Sequence, residues 1–272
     1  MFLHWVILFS VLIAGCKQGT GISDRPIAIL GAFADEIHML EDSLKNKQII
    51  EQGGIIFTRG LLKGKDVVLA YTGIGKVNAA MTTSLLIDHF NPSITIFTGI
   101  AGGLNPDLNP ADIVVAGKSV QHDLNYVYDD SLVSYPVSSP VTGKVNPVFY
   151  KSDSMLLHIL EESYSGIELK SYKTGNREYK PKIITGIIAT GDAFIASDKK
   201  KAELIRRFHA DAVEMEGAAV AQICYQYNIP IIIIRSISDS ADENAGVDIE
   251  KFLNVSSENA NRVVIKLVES LP

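Results

Sequence analysis

The sequence predicts an α/β protein, a three-layer α/β/α sandwich around a central mixed, mostly parallel sheet. Short apolar runs alternate with helical patterns from Pro26 onward, as expected for strands that are separated by helices. Residues 231–234 are four consecutive isoleucines, and a strand without a polar face must be covered on both sides. With 272 residues, 47% of them hydrophobic, the chain is long enough for one large domain with a full core.

The remaining elements follow the same alternation. Five short apolar runs predict buried strands at residues 27–30, 67–70, 94–97, 113–115 and 183–184. Apolar residues at helical spacing predict a helix after Gly75 and another at the C-terminus. The stretch from about Asp123 to Tyr150 breaks the rhythm and predicts a long loop or flap over the sheet edge. The helical stripes are Val77, Ala80, Met81 and Leu85 in the first helix and Val263, Val264, Leu267, Val268 and Leu271 in the second.

The N-terminal segment predicts an exported lipoprotein. Residues 2–13 are apolar except for His4 and Ser10, and this run is too short to span a bilayer comfortably. It leads into residues 12–16, LIAGC, which resemble the bacterial lipobox, where cleavage before the cysteine leaves a lipid attached to it. We therefore expect a signal peptide over residues 1–15, a lipid on Cys16, a tether over residues 16–26 and one folded domain over residues 27–272.

The expected location is the bacterial cell envelope, with the protein held at a membrane by the lipid on Cys16, in the periplasm or on the cell surface. No Lys or Arg precedes the apolar run, so a plain secretory signal and a misassigned cytosolic start are the alternatives.

Charge and cysteine content exclude several partners. The net charge of −6 and the pI near 5.5 disfavour binding to nucleic acid. If Cys16 is acylated, Cys224 is the one cysteine left, so no intramolecular disulfide forms, and its helical spacing with apolar neighbours predicts a packed position. The histidines show no metal-ligand spacing, and we expect neither a metal nor a cofactor.

Asp239 is the first candidate for a functional acid. It follows the isoleucine run closely, which places it at the carboxyl end of a central strand, where open α/β sheets bind ligands. A cap of the next turn in Ser238-Asp239-Ser240 is the alternative from the local sequence. The glycine-rich residues 98–103 follow a predicted strand and let a ligand approach the main chain, although tight turns would also explain these glycines.

Six segments occur in the order seen in 5'-methylthioadenosine/S-adenosylhomocysteine nucleosidases, and the chain also resembles the wider nucleoside phosphorylase superfamily. The resemblance covers residues 27–272, is weakest after His122-Asp123, and implies a nucleoside phosphorylase-like catalytic domain that forms a homodimer. The six segments are residues 31–36, 73–80, 98–103, 191–195, 213–219 and 238–239.

The resemblance implies catalytic roles for three carboxylates. Asp239 would donate a proton towards N7 of adenine, Glu36 would activate a water molecule, and Glu216 would accept hydrogen bonds from the ribose hydroxyls. Burial at the end of the isoleucine strand would raise the pKa of Asp239 and help it to hold a proton. Each acid has a simpler alternative: Glu36 in the solvated first turn of a helix, and Glu216 at a helix N-terminus.

The resemblance also implies a set of substrate contacts. Phe194 would stack on adenine, the Ile195 main chain would read the edge of the base, and Met215 would pack against the sugar, while core packing is the alternative for Phe194 and Met215. Arg235 either orients Glu216 or pairs with an acid beside its strand. The other expected substrate contacts are Phe33, Ala101, Gly102 and Ser238.

Hydrolysis is favoured over phosphorolysis on this fold. A phosphorylase must hold a doubly charged phosphate, usually with arginines, whereas the loop after the first strand carries Asp35 and Glu36 and no arginine. The expected substrates are 5'-methylthioadenosine, S-adenosylhomocysteine and 5'-deoxyadenosine. Ile100 stands where many relatives have Ser, so it is not expected to bind the sugar.

Two other functions stay open. Futalosine hydrolase is the enzymatic alternative, and a surface ligand-binding lipoprotein or adhesin on the same fold is the other, with Lys199, Lys200 and Lys201 as a local basic patch.

Overall fold

The computed structural model describes residues 25–129 and 131–272. The predicted signal peptide, the lipidation site Cys16 and the tether up to residue 24 lie outside the described residues. At the start of the described chain, the Arg25 side chain donates hydrogen bonds to the main-chain carbonyls of Asn91 and Pro92. None of the helices in the described part is both long and apolar enough to cross a membrane.

Strands and helices alternate in outline as the sequence predicts, and the described residues contain eight strands beyond the six predicted ones, four of them in two small hairpins. The helices are α1 Ala34–Ser43, α2 Lys76–Phe90, α3 Ser154–Ser163, α4 Asp198–Phe208, α5 Gly217–Tyr227 and α6 Ala245–Ser270. The strands are β1 Ile27–Gly31, β2 Lys45–Gln52, β3 Ile55–Leu62, β4 Lys65–Tyr71, β5 Ile94–Gly103, β6 Ile113–Gln121, β7 Asn125–Tyr128, β8 Ser131–Ser134, β9 Phe149–Lys151, β10 Tyr172–Thr174, β11 Arg177–Tyr179, β12 Ile183–Thr190, β13 Ala212–Glu214 and β14 Ile231–Asp239.

The main sheet is mixed, and part of it closes on itself. Its strand order is β13-β12-β6-β14-β5-β1-β4-β3-β2, and the strands β4, β1, β5 and β14 are parallel. A further antiparallel pairing joins β13 to the end of β5, at Ala212–Gly103 and Val213–Gly102. The strands β5, β14, β6, β12 and β13 therefore form a ring, which brings the ends of β5, β13 and β14 together.

Helices cover both faces of the sheet, so the predicted three-layer α/β/α architecture is confirmed. All nine residues of β14 are buried. Ile231 and Ile233 belong to the core on the side of α2 and α5, whereas Ile232 and Ile234 belong to the core on the side of α1, α3 and α6. The isoleucine run is thus covered on both sides, because alternate side chains of a strand point to opposite faces.

The structure corrects two details of the sequence interpretation. Residues 98–103 continue strand β5 and do not form a loop after it, because β14 and β13 pair with this glycine-rich stretch. The predicted apolar stripe of α2 does not pack fully into the core of this chain, because Val77 and Met81 are 78% and 51% exposed. The residues that α2 buries include Ala79, Leu86 and Phe90.

Candidate active site

Four charged side chains meet in the ring of strands. Glu36 comes from the first turn of α1, Glu214 ends β13, Glu216 precedes α5, and Arg235 lies in β14. Their exposed fractions run from 0% for Arg235 to 7% for Glu214. Charges are rarely buried so deeply unless they are paired, and here three carboxylates surround one guanidinium.

Arg235 contacts all three acids. Its Nη1 lies 3.4 Å from Oε1 of Glu36, and its Nη2 pairs with Oε2 of Glu214 and lies 3.5 Å from Oε2 of Glu216. The guanidinium also packs over the ring of Phe97, 4.2 Å from the ring centroid. Both interpretations of Arg235 from the sequence therefore apply, since it pairs with an acid and also contacts Glu216.

Glycine is required in β5 beside this cluster. Gly99 has a φ of +152°, and an added Cβ would overlap Nη1 of Arg235 and Oε1 of Glu36. Only a residue without a side chain lets the carboxylate and the guanidinium approach the strand this closely. Gly99 thus has a packing role at the site.

Glu36 is held by main-chain amides as well as by Arg235. Its Oε1 accepts a hydrogen bond from the Ile100 N–H at 2.9 Å, and its Oε2 accepts one from the Ala32 N–H at 2.5 Å. Burial raises the pKa of the Glu36 carboxyl, and Arg235 and these amides only partly offset that effect. A buried carboxyl with a raised pKa can serve as a general base, and the solvated alternative for Glu36 is wrong.

Glu216 lies between Arg235 and the loop after β4. Its Oε1 accepts a hydrogen bond from the Gly75 N–H at 2.8 Å, and it caps no helix N–H with its side chain. Burial and the neighbouring carboxylate of Glu214 raise the pKa of Glu216 to about 8, against the opposing effect of Arg235. The carboxyl can therefore change its charge in the physiological pH range.

Asp239 lies at the end of β14, as the sequence predicts. Its Oδ2 accepts a hydrogen bond from the Ser238 hydroxyl at 2.8 Å, and its Oδ1 accepts one from the Ala241 N–H at 2.8 Å. Asp239 thus also supports the following turn, so the strand-end and turn interpretations both apply. Burial raises the pKa of its carboxyl despite these two hydrogen bonds.

The remaining β-strand residues of the predicted site lie beside Asp239. A Cβ added at Gly102 would lie 2.9 Å from Oδ1 of Asp239, so the carboxylate packs directly against β5. The Ser238 hydroxyl also lies 3.3 Å from the Ala101 carbonyl, and both residues are buried. Ser238 therefore orients Asp239, and its predicted substrate contact stays a prediction, as do those of Ala101 and Gly102.

The predicted base and sugar contacts differ in exposure. Phe194, in the loop between β12 and α4, is 52% exposed, and the adjacent Ile195 is buried. Met215 is half-buried between the two acids Glu214 and Glu216, and Phe33 is half-buried at the start of α1. The core alternative is wrong for Phe194, which projects an aromatic face that is free to stack.

Comparison with known proteins places the chain in a family. The model of the Phosphorylase superfamily matches residues 26–269. The 5'-methylthioadenosine/S-adenosylhomocysteine nucleosidase of Lysinibacillus sphaericus is 36% identical over 247 residues, which are 90% of this chain and 99% of that relative. The chain belongs to the 5'-methylthioadenosine/S-adenosylhomocysteine nucleosidase family of this superfamily.

Solved structures agree with this nucleosidase fold. The nucleosidase of Neisseria meningitidis, in complex with methylthio-immucillin-A, has a TM-score of 0.78 and 34% identity, covering 91% of this chain and 100% of that one. Futalosine hydrolase of Helicobacter pylori has a TM-score of 0.78 and 32% identity, covering 91% and 98%. The fold and the family are therefore confirmed.

Glu214, to which the sequence assigns no role, lies at the centre of the nucleosidase site. Glu214 pairs with Arg235, accepts a hydrogen bond from the Thr190 hydroxyl, and accepts one from the Gly217 N–H at 2.7 Å. One signal was present: Glu214 and Glu216 are two positions apart at a strand end, a spacing that places side chains on one side.

The site shows no arrangement for a metal. Within residues 25–129 and 131–272, no group of three or more His, Cys, Asp and Glu side chains is placed to hold an ion. The acids of the site surround a guanidinium, and a buried cation already occupies the position that a metal would need.

Proposed function

We propose that this protein hydrolyses the N-glycosidic bond of 5'-methylthioadenosine and S-adenosylhomocysteine, with 5'-deoxyadenosine as a further substrate. The products are adenine and the 5'-substituted ribose. One observation carries the proposal: Glu36 and Asp239, each buried and each with a raised pKa, lie against the same strand β5. The substrate class follows from the similar proteins, which are 5'-methylthioadenosine/S-adenosylhomocysteine nucleosidases.

The spacing along β5 suits two acids that act on one bond. Glu36 binds the amide of Ile100, and Asp239 packs against Gly102, two residues further on. Two residues of a strand span about 7 Å. The contact points of the two carboxylates on β5 therefore lie about 7 Å apart, close enough for both to face one bound nucleoside.

The reaction divides between these two carboxyls. Protonated Asp239 gives its proton to N7 of adenine while the C1'–N9 bond breaks and its electron pair passes to the base. Water attacks C1' of the resulting oxocarbenium-like sugar and loses a proton to Glu36. Glu216, held by Gly75, accepts hydrogen bonds from the ribose hydroxyls and fixes the sugar.

Water suits this site better than phosphate as the nucleophile. A phosphorylase needs cations whose charge is free for a doubly negative ligand. Arg235 is already surrounded by Glu36, Glu214 and Glu216, so a phosphate would meet an excess of negative charge there. These contacts support hydrolysis.

Release of adenine tests the proposed function. The purified protein is incubated with 5'-methylthioadenosine and, in parallel, with S-adenosylhomocysteine, 5'-deoxyadenosine and futalosine, and the released purine base is identified and measured by chromatography. Adenine from the first three substrates supports the proposal. Turnover of futalosine alone would move the assignment to futalosine hydrolase, which the fold of the Helicobacter pylori enzyme favours as second candidate.

Absence of turnover on every nucleoside would favour a ligand-binding lipoprotein or adhesin. The structure gives that alternative little support from the lysines of α4. Lys200 pairs with Glu203 at 3.0 Å, and Lys201 donates a hydrogen bond to the Ser240 carbonyl at 2.6 Å. Two of the three lysines are therefore already bonded within the chain.

We further propose a homodimer formed through the exposed face of α2. On α2, Val77 and Met81 follow the four-residue spacing of one helical face and are 78% and 51% exposed, and Ile74, in the turn before the helix, is 56% exposed. An apolar face of this kind is stabilised by a second copy. Sedimentation of the wild type and of Val77→Glu tests this: a dimer that the charge weakens is expected, and a monomeric wild type contradicts it.

The exported, lipid-anchored form at the cell envelope is likewise a proposal, supported by the lipobox pattern before Cys16. Mass spectrometry of the mature N-terminus tests it. A diacylglyceryl-modified Cys16 is expected, and an unmodified chain beginning at Met1 contradicts export.

A further inference from the structure

Three charged side chains outside the acid–base pair join three loops at the edge of the site. Nζ of Lys76 pairs with Oδ1 of Asp123 at 2.6 Å, and Oδ2 of Asp123 accepts a hydrogen bond from the Asp192 N–H at 2.9 Å. Oδ1 of Asp192 accepts one from the Lys76 N–H at 2.8 Å, which closes the cycle. The loops after β4, β6 and β12 are thereby tied together.

The cycle is directly connected to Glu216. Two consecutive main-chain amides hold two different carboxylates: the Gly75 N–H binds Glu216 and the Lys76 N–H binds Asp192. Gly75 has a φ of +95°, and an added Cβ would lie 3.2 Å from Oδ1 of Asp192. The conformation of this turn, and hence the position of the Glu216 carboxylate, depends on Asp192.

The same side chain belongs to the loop that carries Phe194. Asp192 follows the end of β12 by two residues, and Phe194 follows Asp192 by two. One carboxylate therefore links the residue expected to stack on adenine with the residue expected to hold the ribose. Asp123 keeps it in place from the third loop.

We infer that Asp192 is a positioning residue for the nucleosidase reaction, acting as a clamp that aligns the ribose-binding Glu216 with the adenine-binding loop. This inference rests on the proposed function. Asp192 is bonded to Lys76 and Asp123 and not to Glu36 or Asp239; it acts through the Gly75–Lys76 turn and through its own loop.

The exposure of the three charged side chains argues against a role in folding stability. The side chains of Lys76, Asp123 and Asp192 are 17%, 33% and 48% exposed. Ion pairs with this much contact with water add little to folding stability, because solvent screens them. Hydrogen bonds from Lys76 and the Asp192 N–H nevertheless keep the pKa of Asp123 below its ordinary value, although burial raises it. The Asp123 carboxylate thus stays charged at neutral pH.

Kinetics of Asp192 variants in the full-length protein test the clamp. Asp192→Ala removes the acceptor for the Lys76 N–H, whereas Asp192→Asn retains an oxygen there. We expect Asp192→Ala to lower kcat/KM for 5'-methylthioadenosine about 100-fold, the effect of an ångström-scale misplacement, with a melting temperature within about 3 °C of the wild type. Asp192→Asn should recover most of the activity. Glu162→Ala, at an exposed acid of α3, is the control and should match the wild type.

A second substrate distinguishes misalignment of the ribose from general damage. The 2',3'-dideoxy analogue of 5'-methylthioadenosine lacks the hydroxyls that Glu216 would bind. With this analogue, Asp192→Ala should lower kcat/KM less than about tenfold. Equal losses on both substrates, or wild-type kinetics of Asp192→Ala, would overturn the clamp while leaving the nucleosidase function in place. A wild type that releases no adenine would overturn the proposed function first, and the clamp with it.

Asp123→Asn provides the same test if Asp192→Ala does not fold. This change removes the negative charge that pairs with Lys76 at 2.6 Å, and the retained amide oxygen can still accept the Asp192 N–H. A smaller loss of kcat/KM is expected, again greater for the substrate with both hydroxyls. Equal kinetics for wild type and Asp123→Asn would contradict the clamp.

Discussion

Nη1 of Arg235 lies 3.4 Å from Oε1 of Glu36, and both side chains are buried. Arg235 is also paired with Glu214 and lies close to Glu216, so its single positive charge is shared among three carboxylates. Burial raises the pKa of Glu36, and the attraction of Arg235 offsets that effect only in part. A base made this way can take a proton from water, whereas an acid fully paired with its own cation would be a poorer base.

The first prediction concerns Asp239 as the acid. Asp239→Asn keeps the shape of the side chain and an oxygen for the Ala241 N–H, but it removes the transferable proton. We expect kcat for adenine release to fall about 100- to 10,000-fold, the usual contribution of general acid catalysis. Glu162→Gln is the control, since the same change of a carboxyl to an amide at an exposed acid of α3 should leave kcat unaltered. Near-normal turnover by Asp239→Asn would refute the assignment.

The second prediction concerns the ion pair at the centre of the site. Glu214→Gln removes a negative charge beside Glu216 and releases Arg235 to the two remaining acids, so the pKa values of Glu36 and Glu216 should fall. The acidic limb of the profile of kcat/KM against pH is expected to move to lower pH. An unmoved profile, in a variant that melts as the wild type does, would show that Glu214 does not tune these acids.

The third prediction is a dependence of stability on pH. Glu216 has a pKa of about 8 in the folded protein against an ordinary value of 4.5. The folded state therefore binds the proton more tightly than the unfolded state, so this contribution to stability is complete below pH 4.5 and is lost as the pH rises through about 8. The melting temperature should fall between pH 5 and pH 9 by less in Glu216→Gln than in the wild type. Parallel curves would contradict the raised pKa.

The fourth prediction tests the close packing at Gly99. Gly99→Ala places a methyl group where Arg235 and Glu36 lie, and at a φ of +152°. We expect the free energy of unfolding to fall by about 1–3 kcal/mol or more, together with loss of activity, because moving either buried charge would break the ion pair. Gly64→Ala is the matched control, since Gly64 also has a positive φ but an added Cβ meets nothing within 4 Å. Equal denaturation midpoints for the two variants would contradict the role of Gly99.

The sequence alone predicts those elements whose pattern depends on neighbouring residues. The isoleucine run predicts β14, its burial on two sides and the position of Asp239, because each depends on residues that are adjacent in the chain. Glu36 and Glu216 were found through the resemblance to a family. Their burial, and the raised pKa that follows, come from contacts with distant residues such as Ile100 and Gly75.

Features that depend on long-range pairing were missed. Residues 98–103 contain three glycines, typical of a turn, and they form a strand only because β13 and β14 pair with them. Glu214 belongs to the site because it pairs with Arg235, which is 21 residues away in the sequence. The exposed face of α2 has the same spacing as a core stripe, since the pattern alone does not say whether it packs on its own chain or on a second copy.

The dependence of adenine release on phosphate tests the central claim most directly. The wild type is incubated with 5'-methylthioadenosine in buffers with and without phosphate, and the sugar product is identified by mass spectrometry. Because the one guanidinium in the carboxylate cluster is already shared by three acids, we expect equal rates in both buffers and free 5-methylthioribose as the sugar product. Release that requires phosphate and yields a sugar 1-phosphate would contradict the account.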